Sequence, residues 1–241
     1  MVQRWKDAAT NSVEILSCTS RRDCEEALLW LDLSSRSPLG AITLQTGGIL
    51  VHNGWIRIFG GGHKQRLPVS ISQFNEQCTP ALTGEELHSG TPLGCILIAA
   101  DVVGGFFALN GGRLSPERSS IAKVFYLSPD TLEWEDTEMG YSQFLQWAFS
   151  GDMSDFYDLY PIEIPVECPD LAEEEDDSPD AQWWKQMRDM PGDHVFYFQP
   201  PLWDVAGGAI IDRARVSGPA ADLFILMTSL SHAGLADEWA E

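Results

Sequence analysis

Between Lys123 and Lys185 the chain has no lysine or arginine at all. A stretch so empty of positive charge repels phosphate, and with it nucleic acid and anionic lipid surfaces. Long apolar runs are missing too. The longest, residues 95–100 and 223–227, are far too short to cross a bilayer. The first residues, Met-Val-Gln-Arg-Trp-Lys-Asp, are followed by no apolar stretch, so no secretory signal is expected. The five cysteines (Cys18, Cys24, Cys78, Cys95 and Cys168) include no CxxC pair. That spacing speaks against a zinc ribbon or a disulfide framework. A reduced cytoplasm with mostly buried, inert thiols is the expectation. The five histidines (His52, His63, His88, His194 and His232) include no i, i+4 pair, so no metal site is expected. There is no GxSxG elbow, no GxxxxGK[ST] loop and no internal repeat. No cofactor is expected.

What the basic void contains instead is acid. Seventeen Asp and Glu residues fall within it, and five of them, Glu173, Glu174, Glu175, Asp176 and Asp177, are consecutive. The formal net charge is -21, with 15 basic against 36 acidic residues. Such a field steers basic partners inward. Hydrophobic content of 44% and aromatic content of 10% are those of a globular chain. At 241 residues the chain is long enough to bury a full core.

The spacing predicts a short amphipathic helix around Val2, Trp5 and Ala9. A second begins at Ser20, with Asp23 three residues on as a cap signal, and faces Ala27, Leu28, Trp30 and Leu31 inward. Ser37-Pro38 opens a third, which Thr46-Gly47-Gly48 ends. From residue 49 the period changes to two. Residues 49–52 and 55–59 flank Asn53-Gly54, the pair most favoured in a two-residue type I′ turn. That turn sets His52 opposite Trp55, Val51 opposite Ile56, Leu50 opposite Arg57 and Ile49 opposite Ile58. Strands at 95–100 and 106–109, then 123–127 and 132–135, complete an antiparallel meander of six. Residues 60–70, 75–94 and 110–122 read as irregular loops. A helix at 141–149 buries Tyr141, Phe144, Leu145 and Ala148, and a further turn follows at 154–160. The acidic, proline-punctuated segment 161–181 is expected to be mobile. Beyond it come a helix at 181–187, strands at 194–198 and 209–216, and a last helix with Pro219 at its first position and Gly234 at its end.

The chemistry-bearing motifs are few. Gly60-Gly61-Gly62-His63-Lys64 could cradle a phosphate on free amides, although flexible exit from a hairpin is the commoner use of such glycines. A Cys95, His52 and Asp101 cluster is possible only if distant positions converge, and Cys95 opens an apolar strand. Carboxylates are too numerous for any one pair to stand out as glycosidase machinery. Trp134, Trp147, Trp183 and Trp184 read first as core.

Several ordered phrases resemble the bacterial domain-of-unknown-function 2625 family. They are Ser37-Pro38-Leu39-Gly40-Ala41, Thr46-Gly47-Gly48-Ile49-Leu50-Val51, Gly54-Trp55-Ile56-Arg57-Ile58, residues 103–112, residues 126–134 and residues 140–147. The resemblance covers residues 1–160 well and the remainder loosely. More remotely, the order of a Gly-Gly-aromatic strand, a Tyr-Asp-Trp hairpin and the helix at 141 is similar to the SUKH superfamily. That resemblance implies an α+β fold, a central antiparallel sheet flanked by helices. It also implies a role in binding proteins, as in immunity proteins that neutralise toxins.

The expected organisation is a SUKH-like core (1–160), an acidic loop (161–181) and a C-terminal extension packed on the same domain (182–241). The expected function is a non-enzymatic, cytoplasmic protein-binding module for a basic partner, a toxin domain in its most concrete form, with neither nucleic acid nor membrane as partner. Candidate contacts are Asp152, Asp155 and Asp158, spaced i, i+3 and i+6, with Glu173 to Asp177 as a steering field. The alternative is a hydrolase with His52, Arg57, His63 and Asp101 converging beside the first two hairpins.

Overall fold

The computed structural model describes residues 2–83, 94–158 and 179–232. Its elements run in the order α1 (Val2–Asp7), β1 (Val13–Leu16), α2 (Arg21–Trp30), α3 (Pro38–Gln45), β2 (Gly48–Val51), β3 (Ile56–Phe59), α4 (Ile71–Thr83), β4 (Cys95–Asp101) and β5 (Phe106–Asn110). Then come β6 (Lys123–Leu127), β7 (Trp134–Gly140), α5 (Tyr141–Ser150), α6 (Met153–Asp158), α7 (Pro179–Asp189), β8 (His194–Gln199), β9 (Ala214–Pro219) and α8 (Ala220–His232). Strands β1 to β7 form one sheet in sequence order, every neighbour antiparallel, and β8 pairs with β9 separately. The class is α+β with an antiparallel meander.

The helix starts follow from their caps. The Ser20 hydroxyl accepts from the Asp23 amide, and that of Ser37 from the Gly40 amide at 3.0 Å. Each satisfies one of the amides that a helix N-terminus leaves without a partner. Gln143 does the same for α5, its Oε1 accepting from the Gly140 amide at 2.9 Å.

At Asn53-Gly54 the positive φ angles of 57° and 94°, and a hydrogen bond from the Trp55 amide to the His52 carbonyl, match the expected turn. The register of Val51 with Ile56, Leu50 with Arg57 and Ile49 with Ile58 is the one the turn implies. The ladder stops there, however. His52 also has positive φ (48°) and Trp55 is helical, so neither extends a strand and the connection spans four residues.

The sheet is buried on both faces. On one, Phe59 stacks on Phe74 of α4 (4.3 Å), and Phe106 meets Phe224 of α8 edge-on (5.1 Å). On the other, Phe107 packs against Phe144 of α5 (5.0 Å), beside the buried Tyr141, Leu145 and Ala148. Residues from the two ends of the chain, Leu16 and Phe224 among them, share one hydrophobic cluster.

Further expectations are corrected. The sheet has a seventh strand, β1, because Val13-Glu14-Ile15-Leu16 pairs with β2. Residues 75–83, expected as loop, belong to the helix Ile71–Thr83. Ser70 and Gln73 cap it reciprocally: the Ser70 amide donates to Gln73 Oε1 at 2.8 Å, and the Gln73 amide to Ser70 Oγ at 3.3 Å. Strand β7 runs on to Gly140. Residues 210–212 form a 3-10 turn, so β9 starts at Ala214, and Pro219 ends that strand instead of opening α8. Finally, the thiols are not uniformly inert: Cys18 and Cys24 form a disulfide, while Cys78 and Cys95 are buried and free.

Residues 161–178, Gly234, His88 and Cys168 lie outside the described residues. Among the described residues no helix is long and apolar enough to cross a membrane.

Candidate functional site

Chemistry-bearing side chains gather in three places: a polar layer enclosed beneath α7, a cleft beside α2, and an acidic rim along β7. The enclosed layer starts at the β2–β3 turn. Trp55 is fully buried, stacked on Trp183 at 6.0 Å and edge-on to Tyr157 at 5.5 Å, while His52 lies 5.6 Å from Trp184. Two consecutive tryptophans of α7 thus clamp the turn. One strand residue on, Arg57 is 2% exposed and donates from Nη1 to the His194 carbonyl at 2.6 Å. Burial pulls its guanidinium down to about 10, opposed by Asp101 and Asp193, so it stays charged at neutral pH.

Asp101 ends β4 opposite Ile56 and is wholly enclosed. Its Oδ1 accepts from the amides of Val103 (3.1 Å) and Gly105 (2.7 Å), its Oδ2 from the hydroxyls of Tyr126 (2.8 Å) and Tyr157 (2.9 Å). Desolvation raises its pKa, and these four donors oppose the rise. Gly105 is the residue that lets the tyrosine come this close, since a Cβ there would lie 2.1 Å from the Tyr126 hydroxyl oxygen. With its oxygens so engaged, Asp101 ties four segments together. It is not poised to take a substrate proton.

The same layer holds buried atoms without a hydrogen-bond partner among the described residues: His52 Nε2, the indole nitrogens of Trp55, Trp183 and Trp184, Asp193 Oδ1 and His194 Nδ1. Burial lowers the pKa of His52. Sequence reasoning passed over Asp193 and His194. The Trp183-Trp184 doublet on a helical pattern was the signal that this helix closes over something.

His63 does not join this group. It sits past the far end of β3, where its Nδ1 accepts from the Arg66 amide at 3.1 Å, and it lines a cleft of about 430 Å³ with Asp23, Glu26, Trp30, Lys64 and Glu76. The expected four-residue hydrolase pocket is therefore not assembled: Arg57 and Asp101 are neighbours, His52 packs on α7, and His63 faces the other end of the hairpin. The glycine-rich loop is no phosphate cradle either. Four successive amides are already donated: Gly61 to Thr46 O (2.8 Å), Gly62 to Gly47 O (3.0 Å), His63 to Leu67 O (2.7 Å) and Lys64 to Thr19 Oγ1 (2.6 Å). The Cys95 cluster fails as well, because burial pushes that thiol up to about 12.

The rim is the opposite case. Glu133, just before β7, and Glu135, Asp136 and Glu138 within it are exposed, and β7 is the last strand of the sheet. Glu138 has a positive φ of 60°, and its amide donates to Asp136 Oδ1 at 2.7 Å, so the acidic edge is bent and braced. Asp152 and Asp155 are exposed at the start of α6, where Asp152 Oδ1 accepts from the Asp155 amide at 3.1 Å. Asp152 is thus a helix cap as well as a surface charge. The side chain of Asp158 and residues Glu173 to Asp177 lie outside what the structure describes.

Comparison with known proteins places the chain. The model of the family described as a protein of unknown function, DUF2625, matches residues 1–161. A putative uncharacterized protein of Escherichia coli strain K12, YbfG, is 36% identical over 205 residues, covering 84% of this chain and 79% of its own. An uncharacterized protein of Haemophilus influenzae is 31% identical over 218 residues, covering 89% and 81%. No solved structure matches. The chain belongs to the DUF2625 family.

Proposed function

We propose that this member of the DUF2625 family is a non-enzymatic protein-binding module for a basic partner, and that its concrete role is to neutralise a basic toxin domain as immunity proteins do. The observation that carries the reading is the rim. Four exposed carboxylates, Glu133 at the entry and Glu135, Asp136 and Glu138 along a braced edge strand, lie in a stretch of sequence without a single basic residue. Charge of one sign on a rigid element speeds encounter with a basic surface and fixes its orientation. It also keeps an edge strand from pairing with copies of itself, which leaves the edge open for a chosen partner. Kinship with the SUKH superfamily is part of this proposal, supported by the order of the strand and helix phrases. A cytoplasmic setting is part of it too.

The test is co-purification of the tagged chain with the product of the adjacent open reading frame, followed by association kinetics at rising salt. The reading expects a basic partner whose association slows with salt, and slows about tenfold or more with the Glu133→Lys, Asp136→Lys, Glu138→Lys triple variant. Protection in co-expression should be lost in step. Association indifferent to both salt and charge reversal would remove the rim from the mechanism. Hydrolytic turnover abolished by His63→Ala would replace the binding reading altogether.

A further inference from the structure

We propose that Cys18 and Cys24 are a reversible dithiol–disulfide modification site, and that its redox state sets how firmly α2 is docked on residues 60–67. The bond closes a ring across a sequence separation of 6, joining the exit of β1 to the first turn of α2. The ring is the part of the molecule that grips the glycine-rich loop. Within it, the Thr19 amide donates to the Gly62 carbonyl at 3.2 Å, and Thr19 Oγ1 accepts from the Lys64 amide at 2.6 Å. Gly61 lies directly against Cys24, where an added Cβ would come within 2.1 Å of Sγ. Thr19, Asp23, Gly61, Gly62 and Lys64 all line the 430 Å³ cleft, so the ring forms one of its walls.

The two sulfurs are unequal. Cys24 is wholly buried, whereas Cys18 is half-buried and so is the sulfur that an outside thiolate reaches. A monothiol of the glutathione class, as thiolate, attacks Cys18 Sγ. The S–S bond breaks, a mixed disulfide forms on Cys18, and the electron pair leaves with Cys24 as thiolate. A second thiolate then attacks the small-molecule sulfur of the mixed disulfide. It releases Cys18 as thiolate and carries both small thiols away as their disulfide. Two protons end on Cys18 and Cys24, and two electrons have passed from two thiols to the protein. Reduction turns the closed ring into an ordinary loop, and Thr19 loses the constraint that holds it against Gly62 and Lys64.

The experiment equilibrates the full chain in glutathione buffers of graded ratio, traps thiols with a maleimide and maps them by peptide mass spectrometry. Amide hydrogen exchange follows on the two end states. With the maleimide added under denaturing conditions after an acid quench, the expected result is that Cys18 and Cys24 gain and lose the label together across the series, while the free thiols Cys78 and Cys95 carry it in every buffer. The Thr19 and Lys64 amides should exchange at least about tenfold faster when reduced. Cys18→Ser, which removes only the half-buried sulfur, should show the fast exchange in every buffer. If Cys18 and Cys24 keep free thiols under full oxidation, or resist reduction throughout, the site is not a reversible one. Equal exchange in both states would overturn the docking role.

Discussion

Asp101 and Asp136 belong to one sheet, three strands apart, and use the same functional group in opposite ways. Asp101 has been taken out of water and given four donors from two elements and a turn, so each of its bonds is made in a low-dielectric setting. Asp136 is exposed and hydrogen-bonds a single amide two residues along its own strand. The interior of this protein uses polar groups to join segments, and its rim leaves them facing solvent. Stability should therefore depend on the first set, and association on the second.

The largest test of that division is Asp101→Ala. It removes the acceptor that two tyrosine hydroxyls and two amides share in the core, for an expected loss of about 3–5 kcal/mol in a denaturant titration, the range seen when one partner of a buried charged network is removed. Asp136→Ala measured alongside should leave the midpoint where it was. Equal effects of the two would break the comparison outright.

A second test asks whether burial or charge sets the cost. Asn75 is neutral and fully buried, and it bridges α4 to the irregular stretch of β4. Its Nδ2 donates to Ile71 O and Leu97 O, and its Oδ1 accepts from the Leu97 amide, each at 2.8 Å. Asn75→Ala leaves both backbone groups of Leu97 unpaired, for an expected loss of about 2–3 kcal/mol. A loss near zero would mean that charge, and not enclosure, distinguishes the interior set.

Which of these residues could be read in advance depended on how local their signal is. The β2–β3 register was legible because Asn53-Gly54 permits few alternatives and the apolar residues on either side alternate. Helix α5 was legible because Tyr141, Phe144, Leu145 and Ala148 repeat at helical spacing. Helix α4 was not, since Pro80 and the polar run of Gln73, Asn75, Glu76 and Gln77 blur its period, yet the Ser70 and Gln73 cap was there to be found. Strand β1 is four residues long and its pattern suits a helix as well as a strand. The site was less legible still. Nothing in the spacing of His52, His63 and Asp101 says which end of a hairpin each will occupy, and a six-residue separation does not announce that Cys18 and Cys24 will meet. Tertiary convergence has no one-dimensional period to betray it.

The interior set can also be probed by pH. Burial disfavours the imidazolium of His52, so the folded chain binds that proton only below the ordinary value of 6.5, while the unfolded chain binds it near 6.5. Across that window the unfolded state holds more protons, and stability falls as the pH drops below about 6.5. Asp101 works with the other sign. Its carboxyl is raised above 3.8 in the folded state, so its contribution is greatest below 3.8 and declines as pH rises through the folded value. His52→Gln should flatten the decline in urea midpoint between about pH 7.5 and about pH 5.5. Parallel curves for variant and parent would place His52 in water.

The smallest expected effect belongs to the rim, and its smallness is the point. Glu133 is exposed at the entry to the edge strand and Asp136 and Glu138 on it; the backbone ladder to β6 does not involve their side chains, and Asp136 Oδ1 accepts from the Glu138 amide within the strand. Replacing all three by Gln keeps their length, or nearly so at Asp136, and removes three like charges from one edge. The unfolding midpoint should then stay within error or rise slightly at low salt, because exposed charges of one sign repel one another. Solution behaviour is where the change should appear. An edge left with Glu135 as its one rim carboxylate loses most of its protection against pairing with other edges. The variant should therefore self-associate at concentrations where the parent is monodisperse by sedimentation, and the difference should grow as salt falls, since salt screens more charge on the parent's edge than on the variant's. A variant as monodisperse as its parent at every salt concentration would mean that the bend at Glu138 alone closes this edge, and that its carboxylates serve only whatever partner they attract.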